Sequence, residues 1–294
     1  MTLSWVIVAF HRPDALRRLL PAVIPSDFEV IVVNVEDDPT IAAIASERAD
    51  AVPTPTNVGY AAAVNAGAAR ATSDVVIFSN DDLLVTVDDL RALADAVQTG
   101  QCDVALPALI NADGGREPAI LALPTPVAIL KEWALLPDQP VPLIGRGLRV
   151  EKWRRPVAPE PVQAGTAALV AVRTELLQAI PMPESYFLYW EELEWFWRLR
   201  DQEVAVQFRP EVVVTTIGGR TDVRPEKARL LVRNAVRCVR RTQSRRAAVV
   251  TLPIVMLWQL RLLLQAAVRR SGRQSMTSRL AGCAAAVGAW REAW

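Results

Sequence analysis

Two pairs of adjacent carboxylates are the residues whose type and spacing best suit chemistry. The first closes the run Ser73-Asp-Val-Val-Ile-Phe-Ser-Asn-Asp-Asp82. Its apolar centre, Val75 to Phe78, reads as a strand buried on both faces. Asp81 and Asp82 at the end of that strand repel each other unless a cation sits with them. Hard oxygen ligands of this kind suit Mg²⁺ or Mn²⁺, shared with a substrate's phosphates. The plainer reading of the same residues is a solvated acidic turn. The second pair is Glu191-Glu192, within Tyr186-Phe-Leu-Tyr-Trp-Glu-Glu-Leu-Glu-Trp-Phe-Trp-Arg-Leu-Arg200. Carboxyls beside Tyr189 and Trp190 have partly apolar surroundings, which raise a carboxyl pKa toward the range of a general base. Beyond them the segment reads as a helix with Glu191, Glu194 and Arg198 on one face, Glu194 and Arg198 forming a favourable i,i+4 pair. An amphipathic helix with a solvated acidic face is the alternative.

The elements around these pairs alternate. Trp5–Phe10 reads as a buried strand, and Pro13 fits the first turn of a helix through Leu20. Glu29–Val33 reads as a second strand, ending at Asn34 and the acidic cluster Glu36, Asp37, Asp38; a helix from about Thr40 to Arg48 follows. This is a βαβ pattern, which predicts right-handed crossovers and a parallel sheet, with ligands gathered at the carboxyl ends of its strands. His11, the sole histidine, falls just past the first strand, placed either to touch a ligand or to serve structure. In Asn57-Val-Gly-Tyr-Ala-Ala-Ala-Val-Asn-Ala-Gly67, Gly59 permits a tight turn, and the Ala-rich helix after it is thin enough to lie close on a sheet. The free N–H groups at that helix start favour a phosphate. The G-x-G-x-x-G of a dinucleotide fold is absent, so NAD binding is unsupported. Further on, the pattern predicts a helix at Asp88–Val97 and a strand at Asp103–Ile110. A Pro-rich irregular stretch from Ala122 to Pro161 carries Trp133 and Trp153, a length that in a compact domain usually serves function. A strand at Gln163–Val172 and a helix near Arg173–Ile180 complete the body.

With 294 residues, 51% hydrophobic and 22% charged, and a mean hydropathy of +0.19, the chain can bury a substantial core as one large or two modest domains, and disorder is excluded as its general state. Cys102, Cys238 and Cys283 are too scattered for a metal motif and too few for a disulfide framework, which points to a reducing cytoplasm. The first residues lack a basic region and Pro13 cuts the apolar run short, so no signal peptide is expected. The net charge of +1 conceals a division. Residues 220–294 hold 16 Lys/Arg against 3 Asp/Glu, a balance of +13, which leaves −12 for residues 1–219. Arg229, Arg233, Arg237 and Arg240 or Arg241 form one helical stripe, with Leu231, Val232, Ala235, Val236 and Val239 opposite. Ala247–Leu260 carries no charge but is interrupted by Pro253, and is short of the roughly 20 residues of a membrane span. Arginines flanking an apolar helix fit a segment lying in the surface of an anionic membrane. A core helix pair or a homo-oligomer interface competes with that reading.

The ordered set resembles glycosyltransferase family 2, in its rhamnosyltransferase-like branch, over about Leu3 to Arg240. The residues that carry the resemblance are an early strand, Asn57-x-Gly-Tyr and Asn65-x-Gly67, Ser79-Asn-Asp-Asp82, Gly165 before Leu169-Val-Ala-Val-Arg173, Phe187-Leu-Tyr-x-Glu-Glu-x-Glu-x-x-Trp-Arg198, and Arg233-Asn234. It implies an α/β fold of GT-A type, a mostly parallel Rossmann-like sheet flanked by helices over residues 1–219, with a helical region over 220–294. It also implies inverting transfer of a sugar from a nucleoside-diphosphate donor, dTDP-rhamnose-like, to a hydroxyl of a glycan or polyprenyl-linked acceptor, with no nucleic-acid partner. The setting would be the cytoplasmic, inner face of the cell membrane. On that match Glu192 is the catalytic base with Glu191 before it, and Asp82 with Asp81 holds the divalent metal. Ala9, His11, Asn34, Asn57, Gly59, Asn65, Asn80 and Asp81 would line the nucleotide-sugar site, and Gly165, Tyr189 and Trp190 the acceptor site.

Three departures matter. Asn34-Val35 stands where the family often has Asp-Asn, Glu192 where it has Asp, and Thr216, before Gly218-Gly219, where it often has His. A hydroxyl is a much poorer metal ligand than an imidazole, so a catalytically weakened sugar-nucleotide-binding or scaffold protein is the rival reading. A nucleotidyltransferase is the other alternative, but it would show a Gly-rich loop with a basic residue where this chain has Ala9-Phe10-His11.

Overall fold

The computed structural model of the chain describes residues 3–20, 28–135, 150–217, 224–268 and 273–293. Residues 136–149 of the Pro-rich stretch, the side chain of Trp153, and Gly218-Gly219 lie outside the described residues. Strand β1 (Leu3–Ala9) is buried along its whole length, as a strand paired on both sides and covered on both faces must be. Pro13 opens α1 (Pro13–Leu19), where its missing N–H loses no bond. Next come β2 (Phe28–Val35) and α2 (Pro39–Ala45), whose first N–H groups, from Thr40 and Ile41, donate to the Asp38 carboxylate. After β3 (Asp50–Thr54), helix α3 (Tyr60–Ala68) returns the chain to β4 (Val75–Asn80). A Cβ on Gly67 would stand 2.3 Å from Val6 Cγ1, so its absence lets the Ala-rich α3 lie against β1.

The second half departs from simple alternation. A two-residue β5 (Leu83–Leu84) precedes α4 (Val87–Gln98), which is opened by a capping box between Thr86 and Asp89. Then follow β6 (Val104–Asn111), β7 (Arg116–Glu117) and β8 (Ile120–Leu121). The Pro-rich stretch, expected to be irregular, contains α5 (Pro126–Ile129), continued by a π-helical segment over Leu130–Leu135, and later β9 (Glu160–Pro161). The strand expected over Gln163–Val172 is divided into β10 (Ala164–Gly165) and β11 (Leu169–Arg173), because Gly165 pairs with β8 in a separate two-stranded sheet. Helices α6 (Thr174–Ala179) and α7 (Glu191–Asp201) lead to β12 (Val206–Thr216).

The main path of the large sheet runs β3-β2-β1-β4-β11-β6-β12-β5. Its pairs β1–β2, β1–β4, β2–β3 and β6–β12 are parallel, while β11 runs antiparallel between β4 and β6. The carboxyl ends of β1, β2, β4 and β6 therefore open on one edge.

Past the sheet, α8 (Pro225–Thr242) buries Ala228, Val232, Ala235, Val236, Cys238 and Val239 and turns Arg229, Arg233 and Arg240 outward, as its charge stripe predicts. Helix α9 (Arg245–Val268) corrects one expectation: Pro253 does not interrupt it. Packing of Ala248, Val255, Trp258 and Leu262 on either side of the proline outweighs the single lost backbone bond. Helices α10 (Arg273–Gly288) and α11 (Trp290–Ala293) close the described chain.

Candidate active site

Parallel pairing of β1 with β4 sets Val8 opposite Asn80, so the loop after β1 meets the acidic turn after β4. The Phe10 N–H donates to Asp81 Oδ2 at 3.1 Å. Burial pushes the Asp81 carboxyl up to about 6; the Phe10 N–H and the Arg12 guanidinium act against that shift, and the Asp82 charge adds to it. Arg12 pairs with Asp82 and lies 4.0 Å from Asp81 Oδ1, so a cation already accompanies this pair. Its place next to His11 gave no periodic or motif signal; only the register of β1 and β4 reveals the contact. Ala9 is buried at the strand end, and Asn80 donates its N–H to Ala168 O at 3.0 Å.

Other expected donor residues are engaged elsewhere. His11 Nε2 lies 2.8 Å from Glu36 Oε2, which ties the loop after β1 to the loop after β2. Asn34 is buried, and its amide spans its own turn, accepting from the Asp38 N–H at 3.0 Å and donating to Asp38 O at 2.9 Å. Asn65 likewise braces the 182–184 segment through Met182 and Glu184. Asn57 Oδ1 accepts from the Gly59 N–H at 3.1 Å, forming an Asx turn at the start of α3.

The second pair is held differently. Phe187, Tyr189 and Trp190 have φ of 67°, 69° and 76°, left-handed conformations that cost about 1–3 kcal/mol each and require support. That support comes from Asn234 on α8, whose Nδ2 donates toward the carbonyls of Tyr186, Leu188 and Tyr189 at 3.1, 2.9 and 3.3 Å. From the other side the Tyr60 N–H donates to Phe187 O at 3.1 Å. Gly59, at φ 84°, is needed here because a Cβ would stand 2.3 Å from that oxygen. Glu191 is buried and its Oε2 has no hydrogen-bond partner among the described residues; burial, then Glu192, push its carboxyl well above the ordinary range. Glu192 is partly buried and is pushed up to about 7, chiefly by burial, against the effect of nearby backbone N–H groups. Burial would also raise Glu194, but hydrogen bonds from Arg241, Tyr186 and Arg198 outweigh it and hold that carboxyl below its usual range. Glu194 thus fastens α7 to α8. Trp190 is buried against Trp133, ring centroids 5.8 Å apart, and Tyr189 lies half-buried beside the glutamates. Gly165 is buried under Leu106 and Ala119, where its contribution is close packing.

Tyr60 joins the two sides. Its hydroxyl donates to Ala167 O at 2.6 Å, and its pKa is raised by burial and then by Glu191, Glu192, Asp82 and Asp81. Both acidic pairs therefore lie near enough for their charge to bear on the Tyr60 hydroxyl. Among the described residues, no group of three His, Cys, Asp or Glu forms a metal cage. Mg²⁺ and Mn²⁺ commonly take one or two carboxylates and complete their shell with phosphate oxygens and water. The buried Asp81, already in need of positive charge, and Asp82 fit that role. The Ile217 N–H donates to Asp82 O at 2.8 Å, so the end of β12 reaches the pair, but the Thr216 hydroxyl donates to Ile110 O at 3.3 Å instead.

A family model described as glycosyl transferase family 2 matches residues 4–156, just over half of the chain. The chain belongs to glycosyltransferase family 2. Solved structures agree on the fold. A crystal structure of GalNAc-T7 with UDP, GalNAc and Mn²⁺ superposes at a TM-score of 0.56 with 19% identity, covering 81% of this chain and 47% of that one. This glycosyltransferase thus spans about half the length of that chain. Staphylococcus aureus TarS (residues 1–349) in complex with UDP superposes at 0.51 with 14% identity over 98% of this chain and 92% of that one. A mycobacterial protein superposes at 0.53 with 18% identity, over 82% and 74%. No curated protein matches the sequence. The matched segment of this glycosyltransferase contains Asp81 and Asp82, whereas Glu191, Glu192 and Asn234 lie beyond it. The fold is of GT-A type.

Proposed function

We propose that the chain transfers a sugar, with inversion at the anomeric carbon, from a nucleoside-diphosphate donor to a hydroxyl of a glycan or polyprenyl-linked glycan. A dTDP-rhamnose-like donor and the rhamnosyltransferase-like branch follow the motif resemblance. The observation that carries the reading is that one carboxylate pair follows the carboxyl end of β4 and the other opens α7, with Tyr60 between them hydrogen-bonded to Phe187 O and Ala167 O. Asp81, Asp82 and Arg12 form the diphosphate side. A divalent cation bound by Asp81 and Asp82 would neutralise charge on the departing diphosphate. On the opposite side, Glu192 takes the proton of the acceptor hydroxyl as its oxygen bonds to the anomeric carbon and the carbon–diphosphate bond breaks. A carboxyl raised to about 7 is matched to that task. Tyr189 would supply an aromatic wall for the acceptor sugar, backed by Trp190, which is itself buried. Residues 1–219 would act as the transferase unit, and the +13 region 220–294 would hold it at the cytoplasmic face of an anionic membrane.

One observation favours a rival, a sugar-nucleotide-binding protein with weakened catalysis: the Thr216 hydroxyl is turned away from the carboxylates. The test is a screen of nucleoside-diphosphate sugars by thermal shift, with and without Mn²⁺, followed by transfer or donor hydrolysis with each donor that binds. Metal-dependent binding with turnover supports the enzyme. Binding without turnover for any acceptor supports the rival.

A further inference from the structure

Helices α8, α9 and α10 pack on one another, yet their outer faces differ. On α8 the exposed positions are mainly arginines. On α9, where Arg245 and Ala267 are also exposed, the exposed large apolar positions are Val250, Leu257, Leu260, Leu264 and Val268, with Arg246 at the head of the row and Pro253 within it. Steps of three, four and seven place them on one side of the helix, as an uncharged seam about 27 Å long at 1.5 Å per residue. Leu280 and Val287 repeat the pattern on α10, and Trp290 stands exposed just after it. A monomer surrounded by water has no reason to align aliphatic side chains in this way.

The opposite side of α9 limits what covers the seam. Trp258 packs at a tilt against Trp133, ring centroids 5.3 Å apart, Arg261 donates to Trp133 O at 3.0 Å, and Val255, Leu262 and Ala266 are buried. Trp133 in turn touches Trp190 at the start of α7, so α9 is fixed to the body through the wall of the site. By length and composition alone α9 could cross a membrane, but crossing would strip away these contacts. Pairing seam to seam with a second copy would bring two +13 regions together. An anionic bilayer meets both requirements, with an apolar interior for the seam and negative headgroups for the arginines.

We infer that the outer faces of α9 and α10 form an in-plane membrane-docking surface, with Leu257, Leu260 and Leu264 among the acyl chains and the arginines of the same helical unit at the headgroups. This rests on the proposal that residues 220–294 meet an anionic membrane, and it adds the face, the depth and the orientation. The full chain is sedimented with phosphatidylcholine vesicles, with and without phosphatidylglycerol, across a salt series and then after an alkaline carbonate wash. Binding is expected only with phosphatidylglycerol, with a fraction that survives high salt and is released by carbonate. L257Q/L264Q, at exposed positions, should keep the wild-type melting curve and lose at least tenfold in partitioning. R229Q/R233Q should lose mainly the salt-sensitive part. If wild type binds but L257Q/L264Q binds equally, the seam is overturned while electrostatic attachment stands. Resistance to carbonate overturns the in-plane orientation in favour of a span. If wild type ignores vesicles, the docking surface and the attachment both fall, and a dimer that L257Q/L264Q turns into a monomer assigns the seam to a second copy. Every readout is independent of donor and turnover, so loss of the transferase reading would leave the result interpretable.

Discussion

The two carboxylate pairs are chemically alike in sequence and both feel burial, but they differ in what accompanies their charge. Asp81 and Asp82 receive a backbone N–H from Phe10 and the guanidinium of Arg12, so the fold treats them as anions in need of a cation. Glu191 and Glu192 have no ion pair among the described residues, and burial drives both toward the protonated form. Positive charge lowers a carboxyl pKa and burial raises it. One pair is therefore equipped to meet a diphosphate and its metal, and the other to exchange a proton near neutrality.

The sharpest way to break this contrast is Glu192→Gln. Loss of a general base costs roughly 10²–10⁴ in turnover, so single-turnover transfer from saturating donor should fall by that order while donor affinity holds and the melting temperature at neutral pH stays level or rises. Glu191→Gln should mainly raise the acceptor KM or alter stability. A result with the two mutants exchanged reverses the assignment, and two active mutants remove catalysis from this helix. Next in size, Asp82→Asn should weaken Mn²⁺-dependent nucleotide binding by more than tenfold, roughly 1.4 kcal/mol. Unchanged affinity by calorimetry would mean that the first pair is not the cation site.

Asn234→Ala tests what holds the second pair in place. Removing a buried hydrogen-bonding group costs roughly 1–3 kcal/mol, so the melting temperature should fall. If the left-handed turn orients Glu192, kcat should also drop several-fold under conditions where the protein remains folded, with donor affinity kept. A lower melting temperature with unchanged kcat would assign Asn234 to stability alone.

The smallest effect expected is on pH dependence. A carboxyl whose folded pKa is raised binds its proton more tightly in the folded state, so it favours folding at low pH and disfavours it as pH rises. For Glu192 the loss runs from the unfolded value of 4.5 to about 7, and for Asp81 from 3.8 to about 6. Stability of the nucleotide-free protein should decline through that interval, less steeply in Glu192→Gln, and chemical denaturation at fixed pH values checks it. In the same interval kcat should rise toward a plateau with a midpoint near 7, because the base acts deprotonated. A flat kcat profile would argue against Glu192.

By itself the sequence determined most of the alternating strands and helices, though not β3 or β12, because β-branched runs and Ala-rich stretches select their elements through local sterics and burial. It also determined the two acidic pairs and the +13 region, since charge and order are properties of the chain. The helix after Gly59, the start of α7 near Glu191 and the arginine stripe of α8 were legible from periodicity alone. Only the tertiary structure decided which polar residues were free for chemistry. Asn34 and Asn65 look like ligand contacts in a string of letters, but their amides are spent on backbone groups brought near by folding. Arg12 gave no local signal, and Tyr60 and Asn234 appeared only as motif letters without a role; each acquires its role from a partner distant in sequence: Asp82, the four carboxylates, and the carbonyls around Tyr189. The difference in ion pairing between the two pairs belongs to the same class. It depends on burial and on which cation arrives, and both are set by long-range packing of β1 on β4 and of α7 on α8.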